Sequence, residues 1–416
     1  MTSTAQRLDR IRGPVPVRRH NARTIAALTG NPGCTRRAVL DSAGVDKSAL
    51  AKRIGFQSRF GQSRFAITRG NAFEAQVKAD GGAELLRLVA ERLGLPVPEA
   101  TYTDLGAGAP DDGNASRHER SRDLLAAAAP DGADGTGALF DHPLLSLDVA
   151  GQRVYLEPDL VAARLGGRFH VVEIKSFAVI DGQAEPAKVA AAAIQSAVYV
   201  LALRELLAAA GSDPDLVSSD VVLICPRDFA NQPVASVLDV RRQLLVLRRQ
   251  LGRMARVTEL LATVPEDFTA DPAAEPADLA AALGRVPAHY APDCLAACEL
   301  AFFCRHEARD QSAALGRPVR EALGGVASVP EALALARDEV TPAPEQAEAA
   351  ALLRAAARLR TEALTLTGTP AAALYPAGLP VVPQPAAASP ALVTAGASAA
   401  LVTAGAPAAT GAGGGT

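Results

Sequence analysis

Tryptophan is absent from the 416 residues, methionine occurs twice, and aromatic residues make up only 4%. The core must therefore be aliphatic, and the 49% apolar content is enough to build one. Lysine is also scarce. Lys47, Lys52, Lys78, Lys175 and Lys188 are five of 42 basic residues, so a lysine inside a motif carries information. The net charge of −3 excludes a uniformly basic nucleic-acid coat. The longest uncharged run outside the tail, 189–203, falls short of the about 20 residues that a bilayer requires. The first residues lack the apolar stretch of a secretory signal. No Walker motif occurs, so no ATP-driven motor is expected in this chain. A cytoplasmic protein is the expectation, and there five cysteines suggest a metal or redox site instead of disulfides.

Charge is distributed unevenly. Residues 1–70 carry 14 Arg or Lys against 3 Asp, a net of +11, which leaves −14 for the remainder. Residues 1–30 read as a basic arm with a short helix, suited either to phosphate contact or to plain solvation. Helical patterns follow near Gly70, where Phe73 and Val77 share a face, and over 83–93. Residues 106–137, rich in Gly, Asp, Ala and Pro, read as a surface insertion. The last 54 residues, 363–416, contain no charge, and the segment 391–397 repeats at 400–406. That pattern predicts a disordered low-complexity tail over 366–416, preceded by a helical extension over 311–365.

The strand signal lies in the middle. Val154–Leu156 leads through Glu157 and Pro158 to Asp159. A Gly166-Gly167 turn then separates this stretch from Phe169–Lys175, which predicts a β-hairpin. Glu173 and Lys175 are two apart on a strand and project together, with Ile174 turned the other way. Asp159 can sit opposite them. Two carboxylates that hold a divalent cation, with a lysine beside them, suit phosphodiester hydrolysis. A helix from Pro186 to about Ala210 places Gln195 and Tyr199 on one face, with Lys188 near the same azimuth. An ordinary solvent face would give the same stripe. Short strands at Val221–Cys225 and Ser236–Val240 and a helix over 241–263 complete a mixed α/β core flanked by helices. That last helix carries Arg241, Arg242, Arg248, Arg249, Arg253 and Arg256. They suit either phosphate contact or solvent, while Leu244, Leu247, Leu251 and Met254 face inward. His170 reads as structural. His20, His118, His142, His289 and His306 show no ligand spacing.

Together, Pro158-Asp159, Glu173-Ile174-Lys175 and Gln195-x-x-x-Tyr199 resemble the PD-(D/E)xK nuclease superfamily, and the last element is similar to its RecB-type branch. Arg69-Gly70-Asn71-Ala72-Phe73-Glu74 resembles that branch's first motif, with Glu74 where many members have His. The resemblance covers roughly residues 30–310 and implies a restriction-endonuclease-like sheet over 31–310. It implies that Glu74, Asp159, Glu173 and Ile174 form the Mg²⁺ or Mn²⁺ set, that Lys175 is catalytic, and that Gln195 and Tyr199 position the DNA strand. By the same resemblance the activity is a single-strand exonuclease in DNA repair, recombination or phage defence, with a helicase or defence-system protein as partner. An inactive DNA-binding subunit and an RNA nuclease are the alternative readings.

Cys294, Cys298 and Cys304 lie within eleven residues, and a closed metal site needs a fourth ligand. Cys225 ends an apolar strand, whereas Cys34 stands beside a turn and precedes Arg36-Arg37. One remote cysteine and three clustered ones resemble the iron–sulfur branch of RecB-type nucleases, which includes AddB. That likeness implies a 4Fe-4S cluster on Cys34, Cys294, Cys298 and Cys304, closing a helical cap. The x₃ spacing between Cys294 and Cys298 replaces the usual x₂. Zinc or plain buried thiols remain as alternatives.

Overall fold

The computed structural model describes residues 3–57, 64–107, 113–129, 136–228 and 230–366. The chain opens with α1 (Thr4–Arg12), α2 (Ala22–Gly30), α3 (Thr35–Ser42) and α4 (Lys47–Arg53). Three of these helices have a side-chain cap. Ser3, Asn21 and Asp46 accept hydrogen bonds from first-turn N–H groups that a helix leaves without partners. The expected arm over 1–30 is folded in. Ile11 is buried in the core shared with α3, while Ile25 and Leu28 join the core around the long central helix. Arg10, Arg18, Arg19 and Arg23 of this segment are exposed, whereas Arg7 and Arg12 are half-buried and donate to the Val264 and Ala43 carbonyls.

α5 (Arg64–Val77) and α6 (Ala79–Leu93) follow, with a kink at Asp80–Gly82, where three successive residues have positive φ. Then come β1 (Ala100–Asp104), α7 (Asn114–Ala127), β2 (Gly137–Asp141), β3 (Leu145–Val149), β4 (Gln152–Leu156), β5 (Leu160–Leu165), β6 (Arg168–Ile174) and α8 (Pro186–Ala209). β7 (Asp220–Arg227) and β8 (Gln232–Asp239) complete the strands. Six strands form one mixed sheet in the order β1-β2-β5-β6-β7-β8, and β3 pairs with β4 apart from it. β1 runs parallel to β2, and β6 parallel to β7, while the other neighbours are antiparallel.

The β5–β6 hairpin is present as expected. Gly166 and Gly167 both take positive φ, +59° and +72°, which a two-residue turn matching strand twist requires. Val154–Leu156 is not part of it. β4 turns back on β3, and Pro158 ends that direction before β5 begins. The region 106–137 is more than an insertion, because α7 buries Ser121 and Leu125, and Ser121 Oγ accepts from Leu144 N at 2.9 Å.

Alternation along the hairpin builds two layers. Val161, Ala163 and Val171 face the core that holds α8. Leu160, Ala162, Val172 and Ile174 face Phe73 and Val77 of α5 and Leu85 and Val89 of α6. α8 has 24 residues, of which an 18-residue stretch reaches a mean hydropathy of 1.5, long and apolar enough by composition to cross a membrane, although the uncharged run within it is shorter. Its position supplies another reason for that apolarity, since residues such as Val198, Val200, Ala202 and Leu203 are fully buried against the sheet.

After the sheet come α9 (Arg241–Ala255), α10 (Val257–Ala262), α11 (Pro276–Gly284), α12 (Cys294–Ala297), α13 (Ala301–Glu307), α14 (Arg317–Ala322), α15 (Val329–Ala336) and α16 (Ala347–Leu366). The expected single helix over 241–263 breaks at Arg256. Leu244, Leu247 and Met254 are buried as its periodicity requires. Residues from α1, α3 and α4 share one apolar core with the stretch 257–308. The described residues from 3 to 360 belong to one compact unit. The expected tail over 366–416 lies, Leu366 apart, outside the described residues.

Candidate functional site

Asp159 sits immediately before β5, and its Oδ2 accepts a hydrogen bond from the main-chain N–H of Ile174 at 2.7 Å. That bond fixes the carboxylate beside the end of β6, where Glu173 and Lys175 project. Lys175 forms an ion pair with Glu173, whose side chain is 0% exposed. Neither Glu173 oxygen accepts a hydrogen bond of good geometry. Burial and the neighbouring Asp159 push the Glu173 pKa up to about 8, with Lys175 opposing. Burial also raises Asp159, only partly offset by Lys175. Two carboxylates that repel each other in a dry site are deficient in positive charge, and a divalent cation supplies it. The residues thus fit the metal that the hairpin motif implies. Ile174 buries its side chain among Leu160 and Val172, so its share in any metal set is confined to the main chain.

From α8, Gln195 Nε2 donates to the Tyr199 hydroxyl at 2.9 Å. Burial, then the negative charge of Glu173, raises the Tyr199 pKa, so this hydroxyl stands on the side of the carboxylates. Tyr199 is only 4% exposed, and its ring is core. Lys188 does not join them. It is exposed and pairs with Glu185 at 2.7 Å.

α5 brings in Glu74, but in company that motif reading does not anticipate. Glu74 Oε1 lies 2.5 Å from Lys78 Nζ and 3.0 Å from His142 Nε2. His142 Nδ1 lies 2.9 Å from Asp141 Oδ1, and Lys78 also pairs with Asp141. Tyr102 donates to Asp141 Oδ2 at 2.5 Å. Lys78 further donates to the main-chain oxygen of Asp159 at 2.9 Å, which ties the group to the hairpin. His142, read from the sequence as lacking ligand spacing, gains its partners only when the end of β2 meets α5. Asp141, Lys78 and Tyr102 were not singled out for the same reason. The scarcity of lysine was the one available pointer to Lys78.

Hydrogen bonds to Asp141 and Glu74 push the His142 pKa up to about 10. Burial would raise Glu74 and Asp141, but bonds from His142 and Lys78 hold both down to about 2. Depressed carboxylates contribute stability above their ordinary range near 4, lost as pH falls toward 2. The raised histidine contributes fully below 6.5, and that share is lost as pH rises through 10. His142→Ala should therefore lower the melting temperature most between about pH 4.5 and 6.5, with the deficit shrinking toward pH 10. Thermal melts in EDTA across that range check it. A deficit that grows with pH contradicts the network.

Cys34 caps α3, Cys294 opens α12, Cys298 follows it and Cys304 lies in α13. Cys294, Cys298 and Cys304 share the apolar core with Val39 and Leu40 of α3. Cys225 stands in another core with Ala192 and Leu223, where burial pushes its thiol up to about 12. Asn31 Nδ2 donates to Cys294 Sγ at 3.1 Å, and an Arg36 guanidinium nitrogen to Cys304 Sγ at 3.2 Å. Burial raises the Cys304 thiol to about 12; Arg36 opposes, while the neighbouring Cys298 and Cys34 add to the rise. The amino-terminal cysteine thus lies beside the carboxyl-terminal ones. A zinc ion with bonds of about 2.3 Å draws four sulfurs to roughly 3.8 Å apart. Among the described residues, the group of ligand-bearing side chains drawn within 4.8 Å of one another is Glu74, Asp141 and His142. The four cysteine sulfurs do not form such a group, and charged and amide N–H donors face two of them.

Two arginines of α9 have partners away from the hairpin. Arg241 pairs with Asp239 at 2.5 Å, and Arg253 reaches the Pro32 carbonyl beside Cys34. His170 is structural, held between the Leu165 and Asp220 carbonyls. No protein-family model, curated protein or solved structure matches this chain.

Proposed function

We propose that the chain is a metal-dependent DNA nuclease of the PD-(D/E)xK kind, with a restriction-endonuclease-like core and a cysteine-held iron–sulfur cluster in its cap. One observation carries this reading. Asp159, Glu173 and Lys175, separated in sequence, converge at one end of the hairpin, and the buried Glu173 has the Lys175 ammonium as its ion-pair partner but accepts no hydrogen bond of good geometry. Asp159 and Glu173 would hold Mg²⁺ or Mn²⁺. Bound there, the cation polarises the scissile phosphate and acidifies a water. Lys175, restrained by Glu173, orients that water and steadies charge on the phosphate. The Tyr199 hydroxyl, aligned by Gln195, is the polar group that α8 offers to the strand. Cytoplasmic action on DNA ends, alongside a helicase or a defence-system protein, belongs to the same reading.

The test is degradation of end-labelled single-stranded DNA by anaerobically purified protein, with Mn²⁺ or with EDTA. Cleavage that depends on Mn²⁺ and disappears in Asp159→Ala supports the proposal. Equal cleavage by the wild type and Asp159→Ala rejects this site, and degradation of RNA alone redirects the substrate. Because the Tyr199 ring is core, Tyr199→Phe is the clean probe of that residue. We expect kcat/KM to fall roughly tenfold, about 1.4 kcal/mol, with little change in melting temperature. Unchanged kinetics would remove Tyr199 from strand positioning.

A further inference from the structure

Glu74, Asp141 and His142 have the outward form of a second metal site, since their ligand atoms all lie within 4.8 Å. An ammonium already stands among them. Lys78 is 7% exposed, and its Nζ contacts Glu74 Oε1 at 2.5 Å, Asp141 Oδ1 and the Asp159 carbonyl at 2.9 Å. Three acceptors satisfy its three N–H donors. Each ring nitrogen of His142 also faces a carboxylate oxygen, at 3.0 and 2.9 Å. Lys78 Nζ also approaches His142 Nε2 at 3.5 Å. A divalent ion would first have to displace the lysine.

We propose that Lys78 is the resident cation of the Glu74–Asp141–His142 group. The group is thereby closed to divalent metal, and Lys78 acts as a positioning residue that holds Asp159 through its main-chain oxygen. This inference rests on the nuclease reading in one respect: it leaves that centre with a single metal ion, at Asp159 and Glu173. Removing the ammonium leaves two carboxylates and an imidazole, a donor set that suits Mn²⁺.

Mn²⁺ bound per full-length chain, counted by electron paramagnetic resonance at pH 7.5, provides the test. Lys78→Ala should bind one more ion than the wild type, and Lys78→Ala/His142→Ala should lose that ion again. Equal counts in folded wild type and folded Lys78→Ala would overturn the proposal. The single variant His142→Ala gives an answer even if Lys78→Ala fails to fold. It should bind as many ions as the wild type, and a wild-type ion that disappears with His142 would show the group to be a metal site. Failure of the nuclease reading has a different signature. The wild type would then bind no Mn²⁺ and cleave nothing, while Lys78→Ala still gained its ion, and Lys78 would stand as the resident cation.

Discussion

Glu173→Gln should lower Mn²⁺-dependent cleavage on the order of 10²–10³-fold, the scale on which one preorganised electrostatic partner is lost. The same substitution should make the metal-free protein more stable. Glu173 is fully buried, and burial together with Asp159 raises its pKa from 4.5 to about 8. Between those values the folded chain holds a proton that the unfolded chain has released, so stability falls as pH rises from 4.5 to 8. A neutral amide of the same shape escapes that cost. At pH 8 in EDTA, Glu173→Gln should melt at least about 2 °C above the wild type. Adding Mn²⁺ should reverse the order, because an ion that binds only the folded wild type stabilises it by mass action. Kinetics and melts on the same preparations check both halves. A variant that cleaves at the wild-type rate removes Glu173 from the reaction. One that melts lower without metal shows that the buried carboxylate has partners beyond Lys175 and Asp159.

Replacing Cys34, Cys294, Cys298 or Cys304 by Ser should abolish iron binding, whereas Cys225→Ala should leave it intact. Anaerobic wild-type protein is expected to be brown, with broad absorbance near roughly 400 nm from cysteine-ligated iron. Between Cys34 and Cys294 lie 260 residue steps. On a chain-entropy model, tying such a loop is worth roughly 5–6 kcal/mol. The realised loss should be smaller, since other contacts already join the two parts. Arg36 pairs with Glu307 at 2.5 Å, and Arg36 N donates to the Pro287 carbonyl at 2.9 Å. We therefore expect each ligand variant to melt at least about 5 °C lower. Iron assay and scanning calorimetry on the five variants decide it. Colourless protein without iron, from strictly anaerobic preparation, would reject the cluster and leave the hairpin centre untouched. Iron that survives in Cys34→Ser but not in Cys225→Ala would exchange their roles.

Much of the hairpin was legible in the sequence because its determinants are local. Alternation from Phe169 to Ile174 and the Gly166-Gly167 pair specify β6 and its turn, and a two-residue spacing puts Glu173 and Lys175 on one side. The apolar run of α8 and the six-position spacing of Cys298 and Cys304 were legible in the same way. Tertiary structure alone decided the remainder. Nothing near Lys78 announces that its ammonium will meet Asp141, 63 positions away, and the carbonyl of Asp159, 81 away. Those contacts exist because the buried faces of α5 and α6 pack on β5 and β6, while β2 lies along β5. The basic helices of 1–30 likewise join two cores through Ile11, Ile25 and Leu28, and Arg7 and Arg12 donate to main-chain carbonyls, so net charge misrepresented them. β4 left the expected hairpin for a local pairing with β3 across the Ala150-Gly151 turn. Periodicity records which side of an element is apolar, but the partner that covers that side is set by the packing of the whole chain.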